Sequence, residues 1–289
     1  MSTATVVRGR YPKLVANYHR YVGMAGRALE RSGHLGWFSA ISLRELPWAL
    51  RRYRTETLRL IAELGMGTGA MAVIGGTVAI MGFVMLAGGS LIAIQGFTSL
   101  GNIGVETYTG FAAALVNVRV VGPVNAGIAL AATVGAGATA ELGAMRISEE
   151  IDALEVMGIN SIAYLVSTRV LAGFTVIIPL YALSLIMAFA APQIVTTLFF
   201  GQSSGTYEHY FRTFLRPNDV FWSFIETIVI AVVVMITHCY YGFNASGGPV
   251  GVGAAVGRSM RLSLITVPTV VLLAALALYG VDPNFNLTM

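Results

Sequence analysis

Residues 64–105 read LGMGTGAMAVIGGTVAIMGFVMLAGGSLIAIQGFTSLGNIGV, without one Asp, Glu, Lys or Arg. A helix needs roughly 20 apolar residues to cross the hydrocarbon core of a bilayer, so this run holds a complete span and its flanks. The stretches 170–207, 227–257 and 262–281 are uncharged in the same way. Hydrophobic residues make up 56% of the chain and charged residues 11%, against soluble averages of about 45–50% and about 25%. The expected fold is an all-α polytopic membrane protein.

Within the opening run, Gly88-Gly89-Ser90 and the polar Thr98-Ser99-Leu100-Gly101-Asn102 offer places for a helix to stop. Five spans are expected over about 66–94, 110–138, 168–198, 219–242 and 256–280, with Pro179 a possible kink in the third because proline removes a backbone donor. They divide the chain into residues 1–62, a membrane domain over 63–281 and a tail over 282–289. An odd number of spans puts the two termini on opposite sides.

Of the 18 Lys and Arg residues, 11 precede the first span. Arg146 and Arg169 flank the loop between spans two and three, and Arg258 and Arg261 lie between spans four and five. Arg212 and Arg216 fall on the other side. The positive-inside rule therefore places the N-terminus and the loop near residue 150 in the cytoplasm. The tail 282–289 then faces outward. Arg8, Arg10, Lys13, Arg20, Arg27 and Arg31 break up the N-terminus before any cleavable-signal core forms. From Leu35 to Ile61, arginines alternate with Trp37, Phe38, Trp48, Tyr53 and Leu58, a pattern for amphipathic helices lying on a membrane surface.

Several chemistries are excluded. A phosphate-binding P-loop needs a lysine after its glycines, and the single lysine, Lys13, follows Pro12. No His-Glu-x-x-His pair occurs. One cysteine, Cys239, and the scattered His19, His34, His209 and His238 make neither a disulfide framework nor a metal site. The net charge of +4 beside a membrane anchor argues against nucleic-acid binding. Catalysis, a resident metal and a resident cofactor are not expected.

What remains is polar. Ser148-Glu149-Glu150-Ile151-Asp152-Ala153-Leu154-Glu155 packs four carboxylates into seven positions, which hydrocarbon would not tolerate. Ile147, Ile151 and Leu154 recur at i, i+4 and i+7, with Val156 and Met157 extending the apolar side. The pattern predicts a short amphipathic helix over 146–158, with Ser148 to cap it and Gly158 to end it. Arg119 and Glu226 fall inside spans two and four. Buried charges there are costly and default to functional readings, although Glu226 lies close enough to the start of its span to reach the outer interface.

The residues around the acidic segment carry a resemblance. Thr139-Ala140-Glu141-Leu142-Gly143-Ala144-Met145-Arg146, followed by Glu149-Glu150-Ile151-Asp152-Ala153-Leu154-Glu155-Val156-Met157, resembles the signature of the MlaE/YrbE permease family of ABC-type lipid transporters associated with MCE proteins. Arg169-Val170-Leu171-Ala172-Gly173 and the glycine-rich stretch Gly242 to Arg258 are similar too, so the resemblance covers roughly Glu63 to Gly280. The arginine-rich N-terminus, with 17 Arg against one Lys, looks most like the YrbE permeases of actinobacterial Mce importers.

The resemblance implies a multi-pass protein of the cytoplasmic membrane, paired with a second permease, identical or paralogous. A separate ABC ATPase, binding ATP and Mg, grips a coupling helix at 146–158. The implied coupling residues are Glu141, Met145, Arg146, Glu149, Glu150, Ile151, Asp152, Leu154, Glu155 and Met157. The carboxylates would meet basic residues of the ATPase cleft, with Ile151, Leu154 and Met157 packing into it. An MCE hexamer outside would exchange lipid, such as a fatty acid or sterol, with a cavity at the permease interface. Relatives carry Arg-Glu-x-Gly-Pro in span two where this chain has Arg119-Val120-Val121-Gly122-Pro123, which leaves the partner of Arg119 open, Glu226 being one candidate.

Candidate lipid-path residues are Phe83, Met85, Leu86, Ile92 and Gln95 in span one and Val270 and Leu273 in span five, although ordinary helix packing accounts for the same residues. Two other functions fit part of the pattern. One is a proton-coupled secondary transporter relaying through Glu226, against which stands the lack of a matching internal repeat. The other is a non-cycling membrane scaffold for MCE proteins.

Overall fold

The computed structural model describes residue 30 and residues 33–66 and 77–280. The expectations for the basic residues from Arg8 to Arg31, for residues 67–76 of the first span and for the tail 282–289 lie outside the described residues. No strand occurs among the described residues.

Two units divide at Arg44. In the first, residues 33–44 form helix α1, in which the Ser39 and Ser42 hydroxyls donate to the carbonyls of Leu35 and Phe38. The second unit begins with α2 (Leu46–Arg52), where Pro47 occupies the first turn, and α3 (Arg54–Met66). These two helices expose Trp48, Leu50 and Leu58 and bury Ala49 and Leu60. The Arg59 guanidinium donates to Glu56 at 2.7 and 3.1 Å and reaches Glu63 at 3.5 Å. That hydrogen bond holds the Glu56 carboxyl below its ordinary pKa. Tyr53 packs edge-on against Tyr164, which ties α2 and α3 to the start of the third span.

Among the described residues, five helices are long and apolar enough to cross a membrane: α4 (Thr77–Gly101), α5 (Glu106–Ile147), α7 (Ile162–Phe199), α9 (Pro217–Phe243) and α10 (Gly248–Tyr279). Between them lie α6 (Glu150–Val156) and α8 (Ser204–Phe214). At about 1.5 Å per residue, the 42 residues of α5 extend about 60 Å. That is twice the hydrocarbon thickness, so α5 carries one of its ends well beyond the apolar zone.

Half of the most apolar window of α5, α7 and α9 is buried, against 22% for α4 and 17% for α10. Three helices therefore make the core, and α4 and α10 flank it. Small residues set their spacing, as expected where close backbone approach rather than the hydrophobic effect drives association. A Cβ on Gly242 would meet the Thr139 carbonyl oxygen at 2.8 Å, and one on Gly127 would meet Ile230 and Val267 at 2.6 and 2.7 Å.

Gly88-Gly89-Ser90 does not end the first span. The helix runs through it because both glycines face neighbours: a Cβ on Gly89 would sit 2.9 Å from the Ala188 carbonyl oxygen, and one on Gly88 would sit 2.5 Å from the Asn125 amide. The chain turns only at Asn102–Val105, with Gly104 at φ 73°. Helix α8, not foreseen in the sequence, packs at this end. Tyr207 buries its side chain there, and burial raises the pKa of its hydroxyl. A Cβ on Gly110 would be 2.5 Å from the Tyr207 carbonyl oxygen, and Phe111 meets Phe214 with ring centroids 4.6 Å apart.

Two segments of α5, Asn117–Val121 and Ala131–Gly135, are wound as π-helix. Such wide turns are rare inside α-helices and concentrate at functional sites.

Candidate functional site

The acidic segment is a helix broken from its neighbour rather than one continuous 146–158 helix. Arg146 and Ile147 close α5, Ser148 and Glu149 break it, and α6 starts at Glu150. Glu149 takes a left-handed conformation at φ 62°, which redirects the chain. Ser148 makes no cap bond: its hydroxyl lies 2.8 Å from the Glu150 carboxylate and 3.0 Å from the Ala144 carbonyl. At the other end Gly158 (φ 76°) donates to Glu155 and Ile159 donates to Leu154, each at 3.0 Å, the double bond pattern by which glycine stops a helix.

Three contacts anchor this segment. Ile151 is 0% exposed, so it packs within the chain and is not available to a partner's cleft, contrary to expectation. Arg146 pairs with Asp152 at 2.5 Å, and Ser161 donates to Glu155 at 2.6 Å. Met145 and Leu154 are half-buried, while Glu149, Glu150, Asp152 and Glu155 remain exposed. Val156 at 89% and Met157 at 65% are the apolar residues that face outward.

Behind the segment, Arg169 donates to Glu141 at 2.8 Å and to the Leu165 carbonyl at 2.9 Å. The arginine is 5% exposed and the carboxylate 50%, so α5 and α7 are joined where the bundle meets the acidic loop. Nearby, the Thr139 hydroxyl lies 2.8 Å from His238 Nδ1 and 3.3 Å from the Ser259 hydroxyl. This buried knot links α5, α9 and α10. Sequence reading passed over it because each residue taken alone is unremarkable.

Arg119 does not pair with Glu226. Its guanidinium donates twice to one oxygen of Asp219, at 2.7 and 3.1 Å, and stacks 4.0 Å from the Tyr279 ring centroid. Asp219 occupies the first turn of α9, and Glu226 lies two turns deeper. Glu226 is buried among the helices, and one of its carboxylate oxygens has no hydrogen-bond partner among the described residues.

Of the candidate lipid-path residues, Ile92 and Gln95 line one groove between α4 and α5. Its volume is about 600 Å³, and Leu91, Phe111, Val116 and Asn125 form much of the rest. Phe83 and Leu86 are exposed on α4 outside it, and Leu273 is exposed on α10 with Val270 half-buried beside it. Met85 is fully buried and does not line the groove.

The fold and these sites define a multi-pass α-helical membrane protein with an acidic loop at one end. Residues 66–277 match the family model described as Permease MlaE. A probable ABC transporter permease protein of Rickettsia bellii is 30% identical over 179 residues, 62% of this chain and 69% of that one. A probable ABC transporter permease protein of Synechocystis sp. is 28% identical over 214 residues, covering 74% and 78%. The chloroplastic protein TRIGALACTOSYLDIACYLGLYCEROL 1 of Arabidopsis thaliana is 28% identical over 177 residues, and this chain spans about half its length, 51%. The chain belongs to the MlaE permease family, and membership makes it a lipid-transport permease of the ABC-transporter kind.

Proposed function

We propose that this chain is the membrane-spanning subunit of an MCE-associated lipid transporter, worked by a separate ATPase that grips residues 148–158 from the cytoplasm. The observation that carries the reading is the surface of α6. Its carboxylates Glu150, Asp152 and Glu155, with Glu149 just before it, are exposed beside Val156 and the following Met157, an acidic rim around an apolar tip. Charge-assisted hydrogen bonds to arginines or lysines of a cleft are stronger than neutral ones, and the apolar tip adds burial. Because Ile151 and the Arg146–Asp152 pair fix α6 to α5, a push on the tip reaches the bundle directly.

Arginine placement supports a cytoplasmic acidic end, with α2 and α3 laying Trp48, Leu50 and Leu58 on the membrane surface. The thinly buried α4 and α10 leave room for a second permease. The name of the Arabidopsis relative, a galactolipid, supports a lipid cargo, and the Gly88–Asn125 groove, lined mostly by apolar side chains, supports a path for its tail. ATP and Mg belong to the partner.

The test is co-purification and uptake. Replacing Glu149 and Glu150 with alanine together with Val156→Asp is expected to abolish both ATPase association and lipid uptake while the variant stays in the membrane. Retention of both would overturn the assignment. A second reading, transport coupled to protonation of Glu226, draws on that buried carboxylate's unpartnered oxygen. Uptake that fails in Glu226→Gln but survives ATP depletion would favour it.

A further inference from the structure

The groove between α4 and α5 runs from Leu100 and Phe111, at the end of the bundle away from the acidic loop, down to Gly88 and Asn125. Gly88 is the twelfth of the 25 residues of α4, so the groove stops near the middle of that span. The two residues close its floor together. A Cβ on Gly88 would lie 2.5 Å from the Asn125 amide nitrogen and 3.5 Å from Val121, so glycine is what lets the amide rest against α4.

The backbone of α5 aims that amide. Ala112, Val116, Val121 and Asn125 line the groove in a single stripe, in steps of four, five and four residues. Residues three or four apart share one face of an α-helix, so the five-residue step requires a wider turn. It falls on the π-wound Asn117–Val121, whose hydrogen bonds span five residues. Without that turn the stripe would continue through Val120 and Val124, and the floor would be apolar.

Asn125 is half-buried and makes no side-chain hydrogen bond among the described residues. Asn117, one π turn earlier, is fully buried, donates from its amide to the Ala188 carbonyl of α7 at 2.9 Å, and does not line the groove. The other polar side chains of the groove, Gln95 and Ser99, bond to each other at 2.9 Å. A plain hydrocarbon tail reaching the floor would leave the donors and the oxygen of the Asn125 amide unmet, which is costly away from water. A hydroxyl both donates and accepts, so it satisfies an amide through either its oxygen or its nitrogen. No Asp, Glu, Lys, Arg or His side chain lines the groove, and a phosphate or carboxylate at the floor would lie there without a counter-ion.

We propose that the groove selects a neutral lipid with a hydroxyl on the part that reaches its floor, and that Asn125 is the residue that reads this hydroxyl. The proposal rests on the reading of the groove as the path of a lipid tail. Gln95 stands seven residues from Gly88, about 10 Å along the helix. The hydroxyl recognised at Asn125 therefore belongs to the tail, and a headgroup rests nearer Gln95 and Ser99.

The experiment uses the intact transporter in nanodiscs and a monoacylglycerol with a diazirine in its tail. Crosslinked peptides are mapped by mass spectrometry, with labelling expected within residues 88–125. Two unlabelled competitors are then compared, the monoacylglycerols of stearate and of a stearate hydroxylated in mid-chain. On the unaltered protein the hydroxylated competitor is expected to displace the probe at about tenfold lower concentration. In Asn125→Leu, which keeps a similar volume and removes the amide, the two competitors are expected to become equal. Asn125→Ala repeats the comparison if the first variant does not assemble. Absence of a preference in the unaltered protein, or a preference that survives loss of the amide, overturns the proposal alone, since labelling of the groove still stands. Labelling absent from 88–125 while the assembly still transports lipid overturns the groove as the tail's path as well.

Discussion

The Arg119 guanidinium grips a single oxygen of Asp219 at 2.7 and 3.1 Å across 100 residues of sequence. The two side chains are only 11% and 10% exposed, and Tyr279 covers the arginine from the end of α10. Three helices therefore meet at one charge pair on the end of the bundle opposite the acidic loop.

Breaking that pair leaves a charge stranded where water is scarce. Asp219→Ala is expected to lower stability by about 3–5 kcal/mol, whereas Arg119→Leu combined with Asp219→Leu recovers most of the loss. Thermal unfolding in detergent, followed by tryptophan fluorescence, measures both. A double variant as unstable as the single one would show that the aspartate acts through something other than the arginine.

Ile151 and Val156 sit five residues apart on α6 with opposite surroundings. Ile151→Ala removes a fully buried side chain and is expected to cost about 2–5 kcal/mol. Val156→Asp is expected to leave the unfolding midpoint unchanged and to remove ATPase binding in a pull-down. The reversed pattern would put the partner surface on the wrong face of the helix.

Glu149 holds a left-handed conformation that costs an ordinary side chain about 1 kcal/mol. Glu149→Gly relieves that strain while deleting one carboxylate, so stability is expected to hold or rise by a few tenths to about 1 kcal/mol. Glu149→Val keeps the neutral charge and worsens the strain, and stability is expected to fall. Equal behaviour of the two variants in denaturation would argue against this geometry.

Two glycines make a matched contrast, Gly242 in the α5–α9 seam and Gly137 on an open face of α5. Gly242→Ala drives a methyl group into the Thr139 backbone, 2.8 Å from its carbonyl oxygen, and is expected to destabilise by about 1–3 kcal/mol. Gly137→Ala meets nothing and is expected to be neutral, or to stabilise by up to about 1 kcal/mol through helix propensity. Melting curves of the two variants, run side by side, decide the matter.

Much of the architecture could be read from the chain. The uncharged run over residues 64–105 announced a membrane helix, and the four carboxylates of 149–155 announced a break between helices. Gly158 was legible as a stop because a left-handed turn favours glycine. Ser148 does not cap the helix because the residue directly before its first turn is Glu149, whose left-handed backbone turns the chain first. Gly88-Gly89 was misread as a stop for a related reason: in a packed bundle, glycine inside a helix serves the neighbour's backbone, and that neighbour, Ala188, is far away in sequence.

Sequence by itself determined the solvent of each segment, since hydrocarbon and water sort apolar and charged residues by transfer free energy, and no packing detail reverses a 42-residue uncharged run. It also determined the family, through the residues around Glu141 and Glu149. Only the tertiary structure decided which charges meet. Arg119 chose Asp219 over Glu226, Arg146 took Asp152, Arg169 took Glu141, and Ile151 turned inward while Val156 and Met157 turned out. Pairing at 3 Å depends on how helices rotate and slide against one another, and that is set by glycine contacts and side-chain volumes distributed over the whole bundle, which no local stretch of sequence contains.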